Sequence, residues 1–153
     1  MDSLYVPLLS IHNILRWVVV IAALYALYTY ITGWLQGREY RASDRQAGVF
    51  FTISMDIQLV IGLILYGVVS PITRAGFSDF GAAMTNSDVR YFLVEHILLM
   101  VVAVVLVHVG SVMVRKAVDS RVKFQRGTIW YVLSTLVVLA SIPWWRPLLR
   151  LPF

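Results

Sequence analysis

Six ionisable side chains interrupt the apolar runs of this chain: His12, Arg16, Asp56, Glu95, His96 and His108. A charge inside a hydrophobic segment is costly, so each of them needs a reason to be there. The three histidines are all the chain has, and it has no cysteine. Disulfides, thiolate metal sites and cysteine-anchored prosthetic groups are therefore excluded. Any metal or cofactor must be held by His, Met, Asp, Glu or Tyr.

His12 lies six residues after Val6, and His96 lies five after Tyr91, where two of the apolar runs begin. If both runs cross the membrane in the same direction, the two imidazoles stand at similar depth. Two facing imidazoles from different helices are what a six-coordinate haem b requires, one nitrogen for each axial position. His12 and His96 are thus the candidate ligands of the haem iron. Helical spacing places Phe92, His96, Met100, Ala103, Val107 and Gly110 on one stripe. There Met100 and Phe92 would supply polarizable contact, and Ala103 and Gly110 would leave room. Arg16 follows His12 by one turn, and its fork suits either a haem propionate or the carboxylate of Glu95. If the first span instead starts at Trp17, His12 rises about 6–9 Å above His96.

His108 lies twelve residues after His96, which is about 18 Å along the axis and about 120° around it. It falls near the depth of Asp56 on another run, so a hydrogen-bonded Asp56–His108 pair that handles protons is expected. A second haem held by His108 and Met55 is the competing arrangement, and a quinone pocket beside the pair is a further expectation. Gln58 reads as an interhelical hydrogen bonder. Gly62 and Gly67 read as close-packing positions, and Ser134, Thr135 and Ser141 as bonded to their own backbone.

The elements that must position these groups are membrane helices. The chain has 153 residues, 59% hydrophobic and 14% charged, against roughly 45–50% and about 25% in soluble domains. Four apolar runs cover about 6–35, 47–70, 91–114 and 127–145, each near the ~20 residues that cross the bilayer core. No strand-like alternation appears. The expected fold is an all-α, four-transmembrane-helix up-down bundle in a single domain spanning residues 1–153. The first run lacks the basic start and cleavage site of a signal peptide. The net charge of +5 has a topological reading, with no nucleic acid partner expected. Arg38, Arg41, Arg45, Arg115, Lys116, Arg121, Lys123 and Arg126 fall in two connectors on one side. Arg74, Arg90, Arg146 and Arg150 fall on the other. The basic side should be cytoplasmic, with both termini outside. The connector Pro71–Arg90 is then an external loop, irregular or partly a short surface helix. Tyr25, Tyr28, Tyr30 and Trp34 at one end, and Trp144 and Trp145 at the other, suit headgroup depth. Pro143 should end or kink the fourth helix.

Several strings resemble small four-span bacterial membrane proteins labelled cytochrome b. Ile11-His12-Asn13-Ile14-Leu15-Arg16-Trp17 is similar to their first helix, and the segment from Met55-Asp56-Ile57-Gln58-Leu59 to Tyr66 to their second. Val94-Glu95-His96 and Val107-His108-Val109-Gly110 resemble their third helix, and Ala140-Ser141-Ile142-Pro143-Trp144 their ending. Ile97 stands where that family has proline after Glu-His. The resemblance covers nearly the whole chain and implies a haem-binding, electron-carrying role, with haem at His12 and His96.

The expected function is a b-type membrane cytochrome of the bacterial inner membrane with periplasmic termini. It would carry single electrons between quinol and a periplasmic or membrane partner, with one haem b or two. It would be an electron-transfer protein or a subunit of an oxidoreductase. Two other classes compete: a cofactor-free accessory subunit of a respiratory or transport complex, and a small metal or proton permease. Phosphate-binding loops, the H-E-x-x-H zinc motif and the G-x-S-x-G elbow are absent from the sequence.

Overall fold

A computed structural model describes residues 2–146. Arg150, assigned above to the outer side, lies outside the described residues. Among the described residues all regular structure is helical. Four long helices carry the molecule: α1 (Asp2–Gln36), α2 (Ala42–Ile64), α6 (His96–Lys116) and α7 (Ser120–Ala140). Three short helices, α3 (Pro71–Ser78), α4 (Phe80–Thr85) and α5 (Ser87–Arg90), fold the connector between the two halves.

The long helices form a ring in which α1 contacts α2 and α7, and α6 contacts α2 and α7. Neighbours in the ring run antiparallel. The first half of α1 meets the end of α2, since Gly62 faces His12, while Tyr30 late in α1 meets Gly48 and Gly127 early in α2 and α7. The two basic connectors lie at one end, tied together by the Tyr40 backbone N–H, which donates to Ser120 Oγ (3.0 Å). We call this the connector end, and the end that holds His12 and His96 the histidine end.

Leu4–Gln36, Ala42–Val69 and Ser87–Lys116 are long and apolar enough to cross a membrane. The fourth run departs from expectation at both ends. Its helix starts at Ser120 and stops at Ala140. Arg121, Lys123 and Arg126, assigned above to a connector, form its first turns, because Lys, Arg and Gln are good helix formers. Arg126 also donates to the Met113 carbonyl (3.2 Å), one of the last-turn acceptors that α6 leaves open. The charge-free part of α7, Gly127–Ala140, is therefore only about 21 Å long, and Pro143 lies beyond the helix end.

The start of α2 is set by Asp44, whose carboxylate accepts the Arg41 N–H (2.8 Å) and takes a two-pronged ion pair from Arg38 (2.7 and 2.8 Å). That bonding holds the Arg38 guanidinium pKa above its ordinary value. Two π-helical turns mark the histidine end, Leu65–Val69 after α2 and Tyr91–Glu95 before α6. Tyr66 Oη of the first donates to the Leu93 carbonyl of the second (2.9 Å). Such turns are frequent at functional sites.

The core concentrates at the connector end. Tyr30, Phe51, Phe124 and Tyr131 are fully buried there and meet edge to face, with ring centroids 5.0–5.9 Å apart. Tyr30 is therefore a core residue rather than a headgroup anchor, while Tyr25 and Tyr28 are exposed as expected.

Candidate functional site

At the histidine end the bundle is hollow. A cavity of about 170 Å³ is lined by His12 and Arg16 of α1, Met55, Gln58 and Gly62 of α2, and His96 and Met100 of α6. Arg146 and Ile142, beyond α7, and Thr73 of α3 also reach it.

His12 and His96 face one another with ring centroids 6.5 Å apart and planes at 75°. Both rings line the same cavity, so the two histidines meet although they come from different helices. The His96 Nδ1 lies 2.8 Å from the Ser141 carbonyl oxygen. A carbonyl only accepts, so Nδ1 carries the proton and Nε2 keeps its lone pair. This is how metal-ligating imidazoles are usually oriented, the far nitrogen donating to a backbone carbonyl. Tyr91 Oη donates to the same oxygen (2.7 Å). That oxygen is available because α7 ends one residue earlier, and carbonyls at a helix end have no intrahelical donor.

His12 is held differently. Its backbone carbonyl accepts from Gln58 Nε2 (3.0 Å), the interhelical bond expected of Gln58. Its Nδ1 is buried and makes no hydrogen bond with protein, and neither does Gln58 Oε1. Such groups call for a ligand, an ion or water. Gly62 faces the ring closely: a methyl group there would come within 3.2 Å of His12 Cε1. The glycine thus seats the imidazole, a more particular role than helix packing.

The 6.5 Å separation is close to that of two imidazoles on opposite sides of one ion. Two rings on opposite sides of one ion, each nitrogen about 2.0–2.1 Å from it, have centroids about 6.3 Å apart. Among the described residues no group of three or more His, Asp or Glu converges. A porphyrin needs no such group, because it supplies four equatorial nitrogens itself. Arg16 and Arg146 line the same cavity and could meet its propionates. Arg16 is nearly buried, and Arg146 lies over the Phe92 ring (4.4 Å).

Other site residues fall elsewhere. Glu95 does not pair with Arg16: it accepts from Arg90 Nε (2.9 Å) at the surface. The intervening π-helical turn brings residues five apart onto one face. Met100 lines the cavity as expected. Ala103 and Gly110 leave no room there. The Ala103 carbonyl accepts from Ser134 Oγ (2.9 Å), so Ser134 bonds across helices and not to its own backbone. Gly110 is covered by Trp130 and Tyr131. Thr135 and Ser141 do bond their own helix, at Tyr131 and Val137.

Asp56 and His108 meet, with Oδ1 and Nε2 2.8 Å apart, and both side chains are nearly half exposed. Met55, by contrast, is buried and lines the cavity, whereas His108 does not. A Met55–His108 ligand pair is therefore not assembled.

Comparison with protein-family models, with curated proteins and with solved structures gives no match for this chain.

Proposed function

We propose that this chain is a b-type haem cytochrome of the bacterial inner membrane, carrying single electrons between a quinol and a periplasmic or membrane partner. The observation that carries the reading is the pair His12 and His96, 6.5 Å apart on the wall of one cavity, with His96 Nδ1 committed to Ser141. Bound haem would supply the one-electron chemistry. The protein's part is to hold both rings, to seat His12 against Gly62, and to place Arg16 and Arg146 where carboxylates would lie.

The four-span topology belongs to the same proposal. Helix α7 packs between α1 and α6, and its basic first turns can extend to the headgroups. Eight basic residues gather at the connector end, which we assign to the cytoplasm, leaving both termini periplasmic. One observation favours a second reading, an accessory subunit. The Asp56–His108 pair sits on an outer face beside exposed Ile53, Ile57, Val101 and Val105, where a partner helix would shield it. The permease reading gains nothing, since His108 is not among the residues that line the cavity of His12 and His96.

The test is a reduced-minus-oxidised visible spectrum with a pyridine haemochrome count on the detergent-purified chain. We expect about one haem b per chain, lost in His96→Ala and retained in His108→Ala. Equal retention in both variants would overturn the ligand assignment. No haem after expression with ample supply would remove the cytochrome reading and favour the accessory subunit.

A further inference from the structure

The connector end holds a second cavity, unrelated to the histidines. Its volume is about 370 Å³, and Tyr30, Tyr40 and Tyr131 line it together with Arg45, Arg115 and Lys123. Three cations thus converge on a pocket walled by three phenols. Among the described residues none of the three cations forms an ion pair. The nearby carboxylate of Asp44 is already occupied on both oxygens by Arg38. Lys123 Nζ lies 5.1 Å from the Tyr40 ring, and the Tyr40 hydroxyl is hydrogen-bonded to that of Tyr30 (2.8 Å).

Like charges drawn to one concave, partly apolar site repel each other, and the site becomes favourable when an anion enters it. Phosphate suits these groups best. Guanidinium binds phosphate oxygens in a two-pronged fork, an ammonium adds a point charge, and a phenol adds a neutral donor. The position suits a headgroup as well. The cavity lies at the bundle end where the basic connectors emerge, and Val49 on its wall adjoins exposed Phe50 and Ile53 on the outer face of α2. An acyl chain could follow that face while the phosphate stays among the cations. Basic pockets between membrane helices bind anionic lipid headgroups by this chemistry.

We propose that the cavity formed by Arg45, Arg115, Lys123 and the three tyrosines is a binding site for a phosphate-bearing anion, either the headgroup of an anionic phospholipid or a soluble phosphate compound. It is independent of haem and of which way the chain is inserted.

Native mass spectrometry of the delipidated full-length chain tests it, titrated in separate arms with phosphatidylglycerol, phosphatidylcholine and inorganic pyrophosphate. Binding of phosphatidylglycerol over phosphatidylcholine, weakened about thirtyfold in Arg115→Gln/Lys123→Gln, supports a lipid site, since each surface cation contributes close to half of that on a logarithmic scale. The same sensitivity with pyrophosphate alone supports a soluble ligand. Lys116→Gln is the matched control: it removes a cation from the same last turn of α6 but lies outside the cavity. An equal loss in Lys116→Gln would overturn the proposal, because any charge would then serve. So would the absence of both phosphatidylglycerol preference and pyrophosphate binding. Arg115 is exposed and Lys123 half-buried, and glutamine is a good helix former, so folding should survive. Arg115→Lys/Lys123→Arg, which keeps the charge, should restore most of the affinity.

Discussion

The two ends of the bundle use glycine in opposite ways. At the connector end Gly33 admits the Phe124 ring, Gly127 the Tyr30 ring, and Gly110 the Tyr131 ring and the Trp130 Cβ. Each missing side chain is replaced by a neighbour, and the result is a packed aromatic core. At the histidine end Gly62 admits the His12 ring, yet a cavity remains beside it and a buried ring nitrogen has no protein partner. The same chain therefore fills the space between its aromatic rings and keeps its connector-end cavity on the side lined by Arg45, Arg115 and Lys123, whereas at the histidine end the open space lies among buried polar groups. Native interiors are close-packed, so the aromatic core should contribute more to stability than the cavity wall at the histidine end.

Truncating each end would break or uphold that contrast most directly. Phe124→Ala should lower unfolding free energy by about 3–5 kcal/mol, read as a fall in thermal midpoint in detergent. Met100→Ala, on the cavity wall, should cost clearly less, because one side of the methionine already faces empty space. Equal losses would mean that both ends carry the fold alike, and the contrast would fail.

The glycines sharpen the comparison at a smaller scale. A methyl group in Gly127→Ala would overlap the Tyr30 ring, which is locked among Phe124 and Tyr131. Overpacking of this kind costs typically about 1–3 kcal/mol, so the variant should melt earlier. Gly62→Ala would press on His12 by only a few tenths of an ångström, and an open cavity lets the ring move. Its thermal midpoint in the absence of haem should stay near that of the parent chain, while its haem content should fall. A variant that melts early and keeps its haem would assign Gly62 to packing alone.

Sequence spacing read the polar pairs better than it read the helix ends. The meeting of His12 and His96 follows from where two co-directional runs begin. The Asp56–His108 contact follows from depth counting, and the Gln58 bond from a lone amide in an apolar segment. What spacing could not show depends on backbone groups and on helical irregularity. The Ser141 carbonyl that orients His96 is common to every residue type, and only the early end of α7 frees it. The π-helical turn at Tyr91–Glu95 shifts register by one residue and sends Glu95 to Arg90 instead of Arg16. The stripe through Ala103 and Gly110 was real, but spacing on one helix does not reveal that Ser134 and Tyr131 of another occupy it. The charges of Arg121, Lys123 and Arg126 resembled a connector because charge marks exposure and not helix breaking.

The subtlest expected effect concerns Arg16, four residues beyond His12 and on the same cavity wall. A fixed positive charge near a redox centre stabilises the form with one more electron and raises the midpoint potential. At about 10 Å and an effective dielectric near 20, a unit charge contributes on the order of 1–2 kcal/mol, and for a one-electron couple 1.4 kcal/mol is about 59 mV. Arg16→Leu should therefore lower the potential by several tens of millivolts in a redox titration of the haem-loaded chain. Loss of Arg16 also removes a partner for a carboxylate, which would loosen haem rather than shift its potential. The two roles separate cleanly. A lower potential at full occupancy assigns Arg16 an electrostatic part, whereas reduced occupancy at unchanged potential assigns it to anchoring. If neither changes, Arg16 does not act on the histidine site, and Arg146 becomes the cation to substitute.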